Sequence, residues 1–224
     1  MKIIRKISLL VAISIMALLL ASCGSQSSLK NNISELRKNY FHSENESYYV
    51  SLTTGTRENP YLSDGKYEGN LTEFGLIEVK LFDKLFSGET ISYKMTIDNI
   101  IIEGVLEKNP FTSTFMDDIE RDVDDISKVY LVLDYGEKEE LCLQNKSINF
   151  TIDYKEAIDI ASSAMSEKFK EKDIDFNGET YLKLIHDNSS HNTFFWLFTA
   201  KNRDLKTYSI IIDVENGQIV VFSI

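Results

Sequence analysis

The chain of 224 residues carries 24 Lys and Arg against 35 Asp and Glu, a net charge of −11, and is 43 % hydrophobic, enough for one large domain or two small ones with proper cores. A surface this negative repels phosphate backbones and anionic lipid heads, which argues against nucleic-acid binding and against a polybasic membrane contact. Cations and basic partners stay open, beside the plainer service of acidity to solubility.

At the start of the chain, Lys2, Arg5 and Lys6 precede an almost wholly apolar run, residues 7–20. At 14 residues the run is too short to span a bilayer, which takes about 20 helical residues. A basic start, a brief apolar core and small residues at its end make a secretory signal. The run closes on Leu20-Ala21-Ser22-Cys23, which resembles the lipobox of bacterial lipoproteins. The resemblance implies that residues 1–22 are removed, that the Cys23 thiol carries a diacylglyceryl group, and that the mature chain is anchored at the extracytoplasmic face of the cell membrane. Removal of the signal leaves 21 basic side chains against 35 acidic ones, a net charge of −14. With Cys23 lipidated, Cys142 has no intramolecular partner and no disulfide framework exists. Within Leu141-Cys142-Leu143 its thiol is expected to be buried as a small hydrophobe.

Residues 23–43 read as a lipidated tether with a short helix. The sequence GSQSS at 24–28 has the small, polar composition of a flexible linker that needs no ordered structure. After it, Ile33, Leu36, Tyr40 and Phe41 fall near helical spacing within 29–41. Residues 44–149 read as a strand-rich domain with one helix. Ile91, Tyr93, Met95 and Ile97 alternate with polar residues, and Asp98-Asn99 turns that strand into 100–106. Further strands are predicted at 48–53, 76–82, 128–135 and 140–144. Met116, Ile119, Val123 and Ile126 fall at i, i+3, i+7 and i+10, which predicts a helix whose opposite face carries Asp117, Asp118, Glu120, Asp122, Asp124 and Asp125. No glycine-bearing loop folds these carboxylates around one ion, so a solvated face is the expectation rather than a calcium site.

The loop 55–65 is the densest polar and aromatic segment of this half. Arg57 offers a planar fork for carboxylate or phosphate, Tyr61 a stacking surface, and Asp64 with Gly65 a fixed turn. Arg57, Tyr61 and Asp64 are therefore the preferred binding residues.

Residues 150–224 are patterned more clearly. Tyr154, Ala157, Ile158, Ala161, Met165 and Phe169 line one helical face behind Asp153, a capping residue, which predicts a helix over 154–171. Four strands follow, near 180–186, 193–200, 206–214 and 218–223, and Asn216-Gly217 predicts a type I′ turn between the last two. Phe194, Trp196 and Phe198 share one face of their strand, and Trp196 is a candidate docking residue if that face is open. His186 and His191 flank a loop, and with Asp187 they could approach closely enough to hold Zn²⁺ or Cu²⁺.

The run Tyr154-Lys155-Glu156-Ala157-Ile158-Asp159-Ile160-Ala161 and the paired strands of 208–221 (YSIIIDVENGQIVV) resemble the PepSY family of extracytoplasmic bacterial proteins. The resemblance covers 150–224 and implies a small surface module that regulates peptidases or mediates binding. The aromatic strand 194–198 departs from the family pattern.

The fold class expected is thus α+β: a strand-rich antiparallel N-terminal region, then a helix packed on a four-stranded antiparallel PepSY-like meander. No Gly-x-Ser-x-Gly elbow, His-Glu-x-x-His pair, Walker loop or Gly-x-Gly-x-x-Gly turn occurs, and no cofactor is implied. The sequence therefore favours a membrane-anchored, non-catalytic binding, accessory or regulatory protein. Its partners would be the membrane, through Cys23, and a protein or peptide at the cell surface. A carboxylate-dependent extracytoplasmic hydrolase and a metal-binding lipoprotein are the alternatives.

Overall fold

A computed structural model describes residues 24–82, 88–187 and 190–223, so the signal and Cys23 lie outside the described residues. The chain opens with helix α1 (Gly24–Asn31), then runs through β1 (Ile33–Glu44), β2 (Tyr48–Glu58), β3 (Leu71–Leu81), β4 (Thr90–Ile97), β5 (Ile100–Lys108), β6 (Phe115–Ile119), β7 (Lys128–Asp134) and β8 (Lys138–Asn145). A short 3-10 turn (Ser147–Asn149) leads into helix α2 (Tyr154–Glu171), followed by β9 (Gly178–Asp187), β10 (Ser190–Asn202), β11 (Thr207–Asp213) and β12 (Ile219–Ser223).

All 12 strands belong to one sheet in the order β12-β11-β10-β9-β1-β2-β3-β6-β5-β4-β7-β8, and β8 returns to pair with β1. Eight strands, β1 to β8, thereby close into an antiparallel barrel. The remaining four extend from β1, to which β9 is parallel, with Leu36 opposite Leu182. Strand β1 serves both parts. Ile33, Glu35, Leu36 and Arg37 pair with β9, while Phe41 and His42 pair with Asn145 and Gln144 of β8. Between Arg37 and Asn39 the ladder with β2 slips by one residue. The extra residue, Lys38, reaches Asp122 Oδ2 at 2.7 Å and Asp124 Oδ2 at 2.6 Å, so the bulge that bends β1 also aims a cation at the acidic loop after β6.

The α+β expectation is overturned. Strands hold 55 % of the described residues and helices 14 %, and the N-terminal strands form a closed barrel rather than an open antiparallel region. Closure joins residues more than 100 positions apart, which no local pattern records. Two predicted helices are also corrected. The helix expected within 29–41 is mostly β1, and the ordered helix lies before it, where a structureless tether was expected. Leu29 of α1 is fully buried, and Lys30 Nζ meets Asp159 Oδ1 at 2.6 Å, so α1 is tied to α2. The helix expected from 116 to 126 is strand β6 followed by an irregular loop. Phe115 and Ile119, four residues apart, both point into the barrel by strand alternation and pair with Val79 and Gly75 of β3.

Two apolar cores follow from this layout. The barrel interior is filled by side chains that include Val50, Leu52, Ile77, Ile91, Met95 and Leu131. The second core sets Ala157, Ala161, Met165 and Phe169 of α2 against Leu182, Trp196, Phe198 and Ile210. Helix α2 has the bounds its periodicity predicts, and Asp153 caps it by accepting the N–H groups of Lys155 and Glu156, each at 2.8 Å. The turn between β11 and β12 is longer than a type I′ turn. Gly217 takes a φ of +72°, but Asn216 does not enter the left-handed region. Cys142 is half-buried on β8, not buried, because it alternates with the inward Leu141 and Leu143.

Candidate functional site

The loop between β2 and β3 is built by acidic side chains that bind its backbone. Glu58, at the end of β2, accepts the N–H groups of Glu68 and Gly69 on one oxygen, each at 2.6 Å, which closes the loop at its base. Buried Glu179 of β9 takes the Gly65 N–H at 2.5 Å on Oε1 and the Ser34 hydroxyl at 2.6 Å on Oε2. Gly65 sits at a φ of +81°, and a Cβ there would lie 2.4 Å from the Asn202 carbonyl oxygen, so the loop docks closely because this residue has no side chain. Ser63 accepts the Tyr181 hydroxyl at 2.9 Å, and its carbonyl accepts Lys201 Nζ at 2.7 Å. The loop therefore spans from the barrel to the β9–β10 strands.

Tyr61 donates its hydroxyl to Glu35 Oε2 at 2.8 Å. Glu35 is 1 % exposed and also binds Arg37 Nε at 2.7 Å and Lys183 Nζ at 2.5 Å. Burial pushes the Glu35 carboxyl up, but Arg37 and Lys183 together outweigh it and hold the group below its ordinary value. Burial, then the Glu35 carboxylate, push the Tyr61 phenol up.

On the barrel side of this loop lies a groove of about 700 Å³, lined among others by Arg57, Tyr61, Glu73, Phe74, Asp118 and Glu120. Arg57 stacks over Phe74, its Cζ 4.7 Å from the ring centroid, and its Nη2 meets Asp118 Oδ2 at 3.2 Å. Of the three preferred residues, the structure brings Arg57 and Tyr61 to this groove. Asp64 turns away, closing a local turn on the Lys66 N–H at 3.0 Å.

Two smaller hollows of about 370 and 290 Å³ adjoin the groove along β6 and share Asp118 with it. These hollows occupy an opening in the barrel wall. Strands β5 and β6 pair through two couples, Glu107 with Met116 and Lys108 with Phe115, and then diverge. On its other edge β5 pairs with β4 at every residue from 100 to 107. Tyr93 crosses beneath the opening and donates to Asp117 Oδ2 at 2.7 Å. Glycine at 104 leaves room for this, since a Cβ would come within 2.6 Å of the Tyr93 hydroxyl and push the ring aside. Burial, then the bond to Asp117, push the Tyr93 phenol up.

Along its length this trough gathers Glu73, Asp117, Asp118 and Glu120 from one wall and Glu103 and Glu107 from the other, against Arg57 and Arg121. The arrangement makes a field that attracts cations. The sequence registered the acidic run but set it on a helix. Strand β6 instead turns Asp118 outward to Arg57 and Asp117 inward to the Tyr93 hydroxyl, while Asp122 and Asp124 bind Lys38. Glu73, Phe74 and Tyr93 carried no signal of a site, because strand alternation does not report which strands diverge.

The remaining candidates lie elsewhere. Trp196 is 1 % exposed and donates its indole N–H to the Ile152 carbonyl at 2.9 Å, so it is a core residue and forms no docking surface. His186 Nε2 lies 3.1 Å from the Tyr49 hydroxyl, which is itself hydrogen-bonded to Tyr40. The side chain of His191 lies outside the described residues. Among the described residues no three or more His, Cys, Asp or Glu side chains are grouped to hold a metal ion. Comparison of the chain with family models, with curated proteins and with solved structures gives no match.

Proposed function

We propose that the protein is an extracytoplasmic lipoprotein, held at the membrane by diacylglyceryl-Cys23, that acts there as a non-catalytic binding or accessory protein. Its ligand occupies the acidic trough along β6. The observation that carries this reading is the row of three adjoining hollows along β6, from Arg57 and Phe74 to the divergence of β5 from β6, all three lined by Asp118. Hollows rimmed mainly by one sign of charge raise the local concentration of an oppositely charged partner. The trough's inner carboxylates already hold protein groups: Glu58 two backbone N–H groups, Asp117 the Tyr93 hydroxyl, Asp118 the Arg57 guanidinium. Carboxylates fixed in this way suit a rigid binding surface better than a pair poised for proton transfer. The PepSY-like pattern of 150–224 points in the same direction, since relatives of that family bind or regulate.

Anchoring is tested by Cys23→Ala, which is expected to abolish incorporation of labelled fatty acid; normal labelling would overturn it. Binding is tested by a photo-crosslinking residue at the exposed position 120, compared in intact cells with one at exposed position 138 on β8. A partner captured from 120 and not from 138 supports the reading. Equal capture, or substrate turnover by the purified protein, overturns it.

A further inference from the structure

Resting on that reading, we infer that the occupant of the trough is an extended basic peptide that adds as a strand to the open edge of β5. Among the described residues, 100–106 of β5 pair with β4 on one edge and with nothing on the other, since the ladder to β6 stops at Glu107. Such an edge presents a row of backbone donors and acceptors, the template that peptide recognition by strand addition uses.

The outward face of β5 specifies the peptide. Ile101, Glu103, Val105 and Glu107 are all exposed and lie on one side of the strand, whereas Leu106 on the other side is buried. Apolar and acidic residues thus alternate along the rim. Directly opposite positions on neighbouring strands hold side chains about 5 Å apart, and opposite charges or apolar pairs there are favourable. A peptide strand matching this rim carries Lys or Arg opposite Glu103 and Glu107 and an apolar residue between them, opposite Val105. Its basic residues are therefore four apart with one apolar residue midway, the pattern Lys-x-Val-x-Lys. Asp118 and Glu120 line the facing wall, so the basic tips are flanked by carboxylates on both sides. Glu103 already meets Lys94 at 3.0 Å, but both groups are at least half exposed, so that pair is weak and does not bar a second cation. A second copy of this chain fits the rim poorly, because the chain is strongly acidic and its Lys80-x-Phe82-x-Lys84 segment begins within β3, where Lys80 already pairs with Tyr49.

The test is fluorescence anisotropy with the full chain in detergent micelles and a labelled peptide containing Lys-Thr-Val-Thr-Lys. Two controls accompany it: the same peptide with Glu for each Lys, and the same peptide N-methylated at Val and at the second Lys. The second control keeps the charge and removes two of the backbone donors that face β5 in antiparallel addition, since Lys108 N–H bonds Glu89 and the odd-numbered residues of β5 turn their backbone groups to the open edge. The expected result is binding of the first peptide at least about 10-fold tighter than either control. Glu103→Gln and Glu107→Gln should each weaken it about 2- to 5-fold, the range for exposed ion pairs. Equal binding of the N-methylated peptide overturns strand addition, and equal binding of the Glu peptide overturns the charge assignment. If none of the peptides binds while the crosslinker at 120 still captures a partner, the basic-peptide inference fails and the binding reading survives. If the crosslinker is also silent, both fail.

Discussion

Glu35→Gln is the most exposing test of how the barrel is joined to the β9–β12 strands. The Glu35 carboxylate is 1 % exposed and holds Arg37, Lys183 and Tyr61 at 2.5 to 2.8 Å. A glutamine fills the same space but has no charge, and its amide nitrogen turns donor against donor toward at least one of the cations. Breaking a fully buried charge pair costs about 3–5 kcal/mol. Here the Arg37 and Lys183 side chains are 27 % and 29 % exposed, so water screens part of the loss and about 2–3 kcal/mol is expected. Urea unfolding should show a lower midpoint at unchanged slope, and a double-mutant cycle with Lys183→Met should show coupling of about 1 kcal/mol or more. The sign of the pH dependence follows from the depressed carboxyl. Its contribution is complete above the ordinary value of 4.5 and is lost as pH falls through its lower folded value. Wild type should therefore lose more stability below that value than Glu35→Gln does. A loss under about 0.5 kcal/mol at neutral pH, or parallel acid profiles for the two proteins, would refute the reasoning.

Other substitutions probe other levels of the fold. Trp196→Phe removes the indole N–H from the Ile152 carbonyl and leaves a small void beside α2; thermal unfolding should report a loss of about 1–3 kcal/mol. Asp153→Ala uncaps α2, which should cost about 1 kcal/mol by urea titration. Gly65→Ala forces a side chain into the left-handed region and against the Asn202 carbonyl; a loss of about 2–4 kcal/mol is expected from the same titration, since the backbone penalty and the clash act together.

How much of this was legible in the sequence depends on whether a signal is local. The bounds of α2 follow from apolar residues recurring over five turns behind a capping aspartate, and the last four strands follow from alternation punctuated by turns. The Asp98-Asn99 hairpin is legible for the same reason, and Ile97 indeed faces Ile100 across it. Strand β1 was misread because it is buried from both sides. It pairs with β2, β8 and β9 in different stretches and slips register at Lys38, so neither a period of 2 nor one of 3.6 stands out. Strand β6 was misread because Met116, Ile119, Val123 and Ile126 fall at helical spacing, although the strand ends at Ile119 and Val123 and Ile126 pack on the barrel core from the irregular loop after it. Arg57 and Tyr61 were found because a polar, aromatic loop is visible in sequence. The opposite wall of the trough was not, because the divergence of β5 from β6 is a property of barrel closure.

The strand order also bears on how a groove could be presented. Strand β1 carries the β9–β12 strands, and their core receives Leu29 of α1, the helix that begins one residue after Cys23. Around the barrel in the order β1-β2-β3-β6-β5-β4-β7-β8, β5 is four strands from β1 in either direction, the most distant position that eight strands allow. If Cys23 carries the lipid, attachment is at one side of the molecule and the opening beside β5 is on the wall across the barrel from it. Helix α1 replaces the loose tether that GSQSS suggests, and Leu29 and Lys30 tie it to the folded body. The bonds of Glu35 and Glu179 then fix the loop 59–70 between the two cores, so the barrel has little freedom to turn relative to the β9–β12 strands. Closure of the barrel by β1 and the seam at β5 thus act together: the strand that binds the two parts into one sheet lies across the barrel from the open edge of β5, while the Arg57 and Tyr61 end of the trough stays tied to β1 and β9 through Glu35 and Glu179.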